Sequence, residues 1–352
     1  MDGNLGQSIE MVSALVCPDK FKGTLDAAGA ATAMAKGLRT AGYDDITELP
    51  MADGGEGTLD ALLSARGGSR RSARVTGPLG DPVQAEWGLL PGGVAVIEMA
   101  RASGLALVPE RSDPLRASTR GTGELIAGAI RAGARRVIVC VGGSATTDGG
   151  LAALEVLGWS FGGTPVTVAY DVTTRFLDAA TVFAPQKGAT QAEVALLSRR
   201  LALLADQYEQ RTGLDVRTLP GSGAAGGLAG GLAAIGAELE PGFDVVAGAA
   251  GLESALEGVE LVVTGEGRLD ASSFEGKVVG GVVEWAKDAG VPHCAVIAGQ
   301  VTDDAREELA LHAGSQLLAL TDRVWQAGEA FARAATLVEE AALEAGRHVL
   351  EG

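Results

Sequence analysis

The sequence predicts an α/β fold in which a doubly wound parallel sheet is interrupted by a second, smaller α/β domain. Three observations lead there. Short apolar runs alternate with helical patterns along most of the 352 residues, the rhythm of a parallel sheet with crossover helices. The run 137–141, Val-Ile-Val-Cys-Val, reads as a strand buried on both faces and opens directly into Gly142-Gly143-Ser144-Ala145-Thr146-Thr147-Asp148-Gly149-Gly150. Two regions, 72–115 and 160–257, break the rhythm and are expected to meet as the inserted domain.

In chain order, residues 1–10 are polar and glycine-containing and read as a disordered extension. A strand over 12–17 precedes a helix over 26–40, and a strand over 47–51 precedes a helix over 58–66. Residues 72–110 carry turn signals at Gly77-Pro78, Gly80-Asp81-Pro82 and Pro91-Gly92-Gly93, which suggests an antiparallel portion. After the strand 137–141 comes a helix over 151–157. The region 160–257 holds two strand-like pieces, a long helix near 191–212 and a Gly/Ala-rich helical stretch. Strands at 261–264, 294–298 and 316–320 are separated by helices at 277–289 and 303–313, and a last helix spans 324–350. The main domain is therefore expected over 11–71, 116–159 and 258–352.

Composition narrows the class. Hydrophobic residues make up 47% of the chain but aromatic ones only 4%, so the cores are built from Ala, Val and Leu. The 52 glycines cluster between apolar runs without a period, which makes them loop chemistry. A net charge of −17 argues against nucleic acid and anionic membranes as partners. It also obliges any anionic substrate to be held by local donors. Cys17, Cys140 and Cys294 lie at strand-like runs with no metal spacing, as in a reduced, cytoplasmic protein. The three histidines stand apart from glycine-rich loops and nucleophile candidates, and no apolar run reaches membrane-spanning length.

Strands of the main domain run into loops that hold glycine with a charged or hydroxyl residue. These are Pro18-Asp19-Lys20-Phe21-Lys22-Gly23, Asp53-Gly54-Gly55-Glu56-Gly57-Thr58, the loop at 142–150 and Gly265-Glu266-Gly267-Arg268-Leu269-Asp270. In one parallel sheet such loops share an edge, and carboxylates and lysines converge on one crevice. Phosphoryl transfer asks for this set: Lys or backbone N–H on phosphates, and Asp/Glu on Mg²⁺ or on the acceptor hydroxyl. Each loop taken singly also reads as a helix cap or a turn. Gly221-Ser222-Gly223-Ala224-Ala225-Gly226 fits G-x-G-x-x-G, but it follows Pro220 rather than a buried strand, and a ribose-binding acid is missing downstream. Gly276-Lys277 lacks the rest of a Walker A motif. Lys187 sits in a turn before a helix, Asp171 follows an apolar run, and Glu98 ends one and needs a partner such as Arg101 or Arg120.

Taken in order, these blocks resemble the bacterial glycerate kinase family of the type I kind, from about residue 12 to 299. The resemblance rests on Pro18-Asp19-x-Phe21-Lys22-Gly23, Ala52-Asp53-Gly54-Gly55-Glu56-Gly57-Thr58, Ile97-Glu98-Met99-Ala100 and Ser118-Thr119-x-Gly121-Thr122-Gly123-Glu124. It continues through Gly142-Gly143-Ser144-Ala145-Thr146-x-Asp148-Gly149-Gly150, Pro185-Gln186-Lys187-Gly188-Ala189, Pro220-Gly221-x-Gly223-Ala224-Ala225-Gly226-Gly227 and Thr264-Gly265-Glu266-Gly267-x-x-Asp270. It implies a flavodoxin-like domain interrupted by a second α/β domain, and ATP- and Mg²⁺-dependent phosphorylation of D-glycerate. Members look mostly like 2-phosphoglycerate formers, with 3-phosphoglycerate as the other product. Three departures stand out. Thr174 and Arg175 replace a common Asn-Pro after Asp171, the stretch from Gly158 to Asp171 is short, and Lys20 stands where Ser is frequent.

The reading that follows is a cytoplasmic kinase with its site between the two domains and a closure that excludes water. Lys22 and Lys187 are expected on anionic groups, and Asp148 or Asp171 on the reacting hydroxyl. Asp53, Glu266 and Asp270 are expected on Mg²⁺. Asp19, Gly54, Gly55, Thr119, Gly121, Gly142, Gly143 and Ser144 are expected against substrate or nucleotide. The rival readings are a nicotinamide-dependent oxidoreductase using the 221–226 glycines, and a non-catalytic sugar-acid binding protein.

Overall fold

A computed structural model of the chain describes residues 12–109, 112–312, 314–324 and 327–351. The extension expected over 1–10 lies outside the described residues. The strands are β1 (Ser13–Val16), β2 (Asp45–Glu48), β3 (Ser69–Thr76), β4 (Pro82–Leu90), β5 (Val94–Glu98), β6 (Arg136–Cys140), β7 (Val166–Tyr170), β8 (Glu238–Pro241), β9 (Leu261–Leu269), β10 (His293–Val301) and β11 (Ser315–Ala319). They form two sheets, ordered β11-β10-β9-β1-β2 and β3-β4-β5-β6-β7-β8. The α/β class with two parallel-rich sheets is as expected.

The first sheet belongs to the unit made of residues 1–50 and 251–352, and its pairings are parallel. Counted within that unit its order is 2-1-3-4-5, the flavodoxin-like arrangement. The helix Ala27–Ala41 starts where Asp26 accepts a hydrogen bond from Gly29 N at 2.7 Å and ends at Gly42 with φ 115°. Its small residues let it lie directly on the helix Ala334–Glu351: a Cβ on Gly37 would sit 2.2 Å from Glu339 O. Met34, Leu38, Ile297 and Val338 are fully buried in the core below. Each is worth roughly 1.5–3 kcal/mol by removal from water.

The continuous unit Met51–Ala250 holds the second sheet. It is antiparallel through β3–β4–β5 and parallel from β5 to β8, so the turn-rich segment after residue 72 is antiparallel as its turn residues indicate. The expected partition is corrected here. β6, placed by sequence in the main domain, pairs with β5 (Ile97↔Val139) and β7 (Val139↔Val168). The helix Thr58–Arg66 belongs to the same unit. An apolar run shows that a strand is buried but not which sheet buries it, and β5 supplies the parallel neighbour. The units divide near 50/51 and 250/251, and the interrupting unit is the larger one. Its core joins Ile97, Val139, Val168, Leu154, Leu228, Phe176 and Tyr208. The helix Arg120–Arg131 was not legible in sequence, because Gly121, Gly123 and Gly128 obscure its periodicity. Among the described residues no helix is long and apolar enough to cross a membrane. The three cysteines are buried and unbridged.

Candidate active site

In the flavodoxin-like sheet the strand order reverses between β1 and β9, where an open parallel sheet places its ligands. The loop after β1 carries Asp19, which is 8% exposed. Its backbone N donates to Gly265 O at 2.9 Å and its Oδ1 accepts from Lys20 N at 2.7 Å. Lys20 Nζ stays 3.6 Å from the same carboxylate, so the departure from Ser adds a cation that is paired with Asp19. Glu266, on β9, has a buried Oε1 with no hydrogen-bond partner in the protein. Burial lifts its carboxyl to about 7; a Ser273 hydrogen bond opposes this, Asp19 reinforces it, Lys277 opposes it and Asp270 reinforces it. Asp270 caps the turn Ala271–Phe274, its Oδ1 accepting from Ser272 N (3.1 Å) and Oγ (2.6 Å). Ser272 Oγ accepts in turn from Lys277 Nζ at 2.7 Å. Lys22 is exposed, and its backbone N would lie 2.9 Å from a Cβ on Gly267.

In the other unit the loop after β6 is built around a buried lysine. Lys187 is 2% exposed, and its Nζ donates to Ser144 Oγ (2.8 Å) and Thr146 O (2.6 Å). Burial pulls its pKa down to about 8, with Asp148 working in the opposite direction. Asp148 Oδ2 accepts from Thr119 N and Oγ1, both at 2.8 Å, and its Oδ1 accepts from Gly150 N at 3.1 Å. Burial raises its carboxyl above the ordinary value, against these hydrogen bonds. Tyr208 Oη donates to Gly149 O at 2.9 Å while its ring packs edge-on against Trp159 and Phe176. The loop is thus tied at both ends to side chains that packing holds still.

Several expected ligand glycines are used for backbone packing. A Cβ on Gly142 would lie 2.9 Å from Gly55 Cα, and one on Gly54 equally close to Gly242 Cα. At Gly121 it would lie 1.9 Å from Thr76 O. Gly143 is exposed. Asp53 Oδ1 accepts from Gly55 N at 3.2 Å. Asp171 follows β7 and is half-buried. Glu98 finds its partners within the fold: its Oε1 accepts from Gly57 N and Leu59 N, and its Oε2 from Arg101 Nε at 2.5 Å.

One group of expected residues is therefore brought together in each unit: Asp19, Glu266 and Asp270 in the first, and Ser144, Asp148, Thr119 and Lys187 in the second. Sequence reasoning missed Lys277, Ser272 and Ser273. It weighed Lys277 only against Walker A, although the lysine stands seven residues past Asp270. No group of three or more His, Cys, Asp or Glu side chains poised to hold a metal occurs among the described residues. A full protein cage of that kind does not fit. Mg²⁺ asks for less, one or two carboxylates with water and phosphate, and the unpartnered Oε1 of Glu266 beside Asp270 fits that demand. The 221–226 glycines form a buried turn instead of a strand–helix cradle, with a Cβ on Gly226 falling 2.0 Å from Thr146 O.

Comparison with known proteins agrees with the motif order. Residues 14–165 and 160–350 match the glycerate kinase family. The chain belongs to the glycerate kinase family. Glycerate 2-kinase of Escherichia coli K12 is 40% identical over 327 residues, covering 82% of this chain and 86% of that one. A glycerate kinase of Halalkalibacterium halodurans is 38% identical over 372 residues, covering 94% and 97%. A crystal structure of a candidate glycerate kinase 2 from Salmonella typhimurium LT2 superposes with a TM-score of 0.81 at 34% identity, covering 97% of this chain and 99% of that one. Against the glycerate kinase pattern, the Thr174–Arg175 departure is carried by main chain: Thr173 O and Thr174 O accept from Gly221 N and Gly223 N at 3.2 and 2.9 Å.

Proposed function

We propose that this enzyme transfers the γ-phosphoryl group of ATP to D-glycerate with Mg²⁺, and that the product is 2-phosphoglycerate. The observation that carries the acceptor is the 40% identity to a glycerate 2-kinase over most of both chains. The geometry supports the reaction class, since phosphoryl transfer is mostly positioning and electrostatics. Glu266 and Asp270 would hold Mg²⁺. Bound there, the ion supplies neutralisation of phosphate charge. Lys22, exposed on the loop after β1, attracts an anionic group. Lys187 has three N–H donors, and two are spent on Ser144 and Thr146; the third remains for an anion against the open backbone at Gly143. Asp148 has both oxygens engaged by Thr119 and Gly150, which suits it to positioning the loop. Asp171 is then the acid that orients the acceptor hydroxyl.

Enolase and pyruvate kinase added without phosphoglycerate mutase test the product. A pyruvate signal that follows D-glycerate identifies 2-phosphoglycerate. A signal that appears only on adding mutase means that the 3-isomer is made, and the product assignment falls.

A further inference from the structure

The continuous unit holds a cavity of about 400 Å³ bounded by the segment 114–118, the helix Leu151–Val156 and the helix Gln191–Thr212. Its walls are apolar, with Leu151, Leu203 and Leu204 prominent, and Thr147 and Asp148 supply polar atoms. Thr147 is 1% exposed, and its hydroxyl has no hydrogen-bond partner in the protein. A buried hydroxyl without a partner is unfavourable, and a ligand carrying a donor or acceptor would offset that cost. Leu203 is 69% exposed, a large apolar side chain left in water at the rim. Arg116 and Arg200 also line the cavity. Arg200 Nη1 donates to Leu115 O at 2.9 Å, which fixes the segment 114–118 to the long helix.

The volume lies in the range of drug-sized ligand sites, roughly 300–1,000 Å³. A three-carbon acid with polar groups on every carbon would leave the leucines uncovered and most of the space unfilled. The flat apolar faces and polar edge of a purine match leucine walls with one unpartnered hydroxyl, that of Thr147. Arg116 and Arg200, set beside Glu155, offer the cations that phosphate needs in a chain of net charge −17. We propose that this cavity is the nucleoside pocket of the phosphoryl donor, with the purine against Leu203 and Leu204 and its edge read by Thr147. The proposal rests on the phosphotransferase reading above and names the donor's subsite within it.

The test is calorimetric titration of Mg-ADP into the full-length chain and into Leu203→Glu, Ala152→Phe and Thr147→Val. Leu203 is exposed, so its replacement leaves folding intact even if Ala152→Phe does not. The wild type should bind ADP. Leu203→Glu and Ala152→Phe should weaken it at least tenfold and Thr147→Val severalfold, with KM for D-glycerate within twofold of wild type. Unchanged ADP affinity in a folded Leu203→Glu variant overturns the pocket, as does a wild type that binds no ADP. A rise in KM for D-glycerate at unchanged ADP affinity also overturns it and gives the cavity to the acceptor. If ADP affinity follows the variants while the wild type turns over no D-glycerate, the pocket stands and the acceptor assignment falls.

Discussion

At the residue scale, Lys187 is the group whose setting most constrains behaviour. Its pKa of about 8 is depressed from 10.5 by burial, so above about pH 10.5 folding no longer bears the cost of a buried charge. That stability is lost as pH falls from there through 8. The unfolded chain binds the extra proton in this window, so stability rises with pH, by about 3 kcal/mol in full. Chemical denaturation from pH 7.5 to 10.5 should show this rise in wild type and its absence in Lys187→Met. In the same window kcat/KM should fall with an apparent pKa near 8 as the ammonium is lost. A similar slope of stability in both proteins, or a flat rate profile, would remove the role. Asp148→Asn replaces an acceptor-only group that takes three N–H or O–H donors. It should cost about 1.5–3 kcal/mol and lower kcat through a loosened loop, both readable from a urea melt and initial rates. The chemistry at this scale was partly legible. Asp148 and Glu266 stood out as polar residues in loops after apolar strands, and Lys187 as a lysine in a turn before a helix. The commitment of Lys187 to Ser144 and Thr146 was not, because those residues lie 43 and 41 positions away.

At the scale of elements, glycine and glutamate positions that read as ligand chemistry prove to hold helices in place. Glu98 caps the helix Thr58–Arg66 through Gly57 N and Leu59 N while pairing with Arg101. Glu98→Ala takes the acceptor from Gly57 N and Leu59 N, while Arg101 keeps Glu86 and Asp60, and should cost about 1–3 kcal/mol. Two glycines of the helix Arg120–Arg131 make opposite predictions. Gly121→Ala drives a methyl into Thr76 O and should destabilise by about 1–3 kcal/mol. Gly128→Ala meets nothing within 4 Å and should stabilise by roughly 0.5–1 kcal/mol. Equal effects in thermal melts of the two would contradict the packing described. Strands β1, β5, β6, β7, β9, β10 and β11 were legible from apolar runs, whereas the polar β2, β3 and β8 carry none. This helix was not legible either, since its glycines answer to Thr76 and Ala153, which only the fold brings near.

At the scale of the whole molecule, alternation of strands and helices was enough for the α/β class and for the interruption of one domain by another. It was not enough for the partition. β6 has the same apolar composition as the strands of the other sheet, and only its pairing with β5 and β7 assigns it. Because Met51–Ala250 has its own six-stranded sheet and its own core, that segment expressed alone should fold. It should show an α/β circular dichroism spectrum and a cooperative melt. A chain cut instead at the boundaries read from sequence should fail, because the cut removes β6 from between its neighbours.

As a phosphotransferase with D-glycerate as acceptor, the enzyme must couple ADP formation to that acid. The most direct test is ADP formation by the purified protein with Mg-ATP, measured with and without D-glycerate. ADP release should saturate in D-glycerate and fall to background without it. ADP release independent of D-glycerate, or none at all, would contradict the coupling.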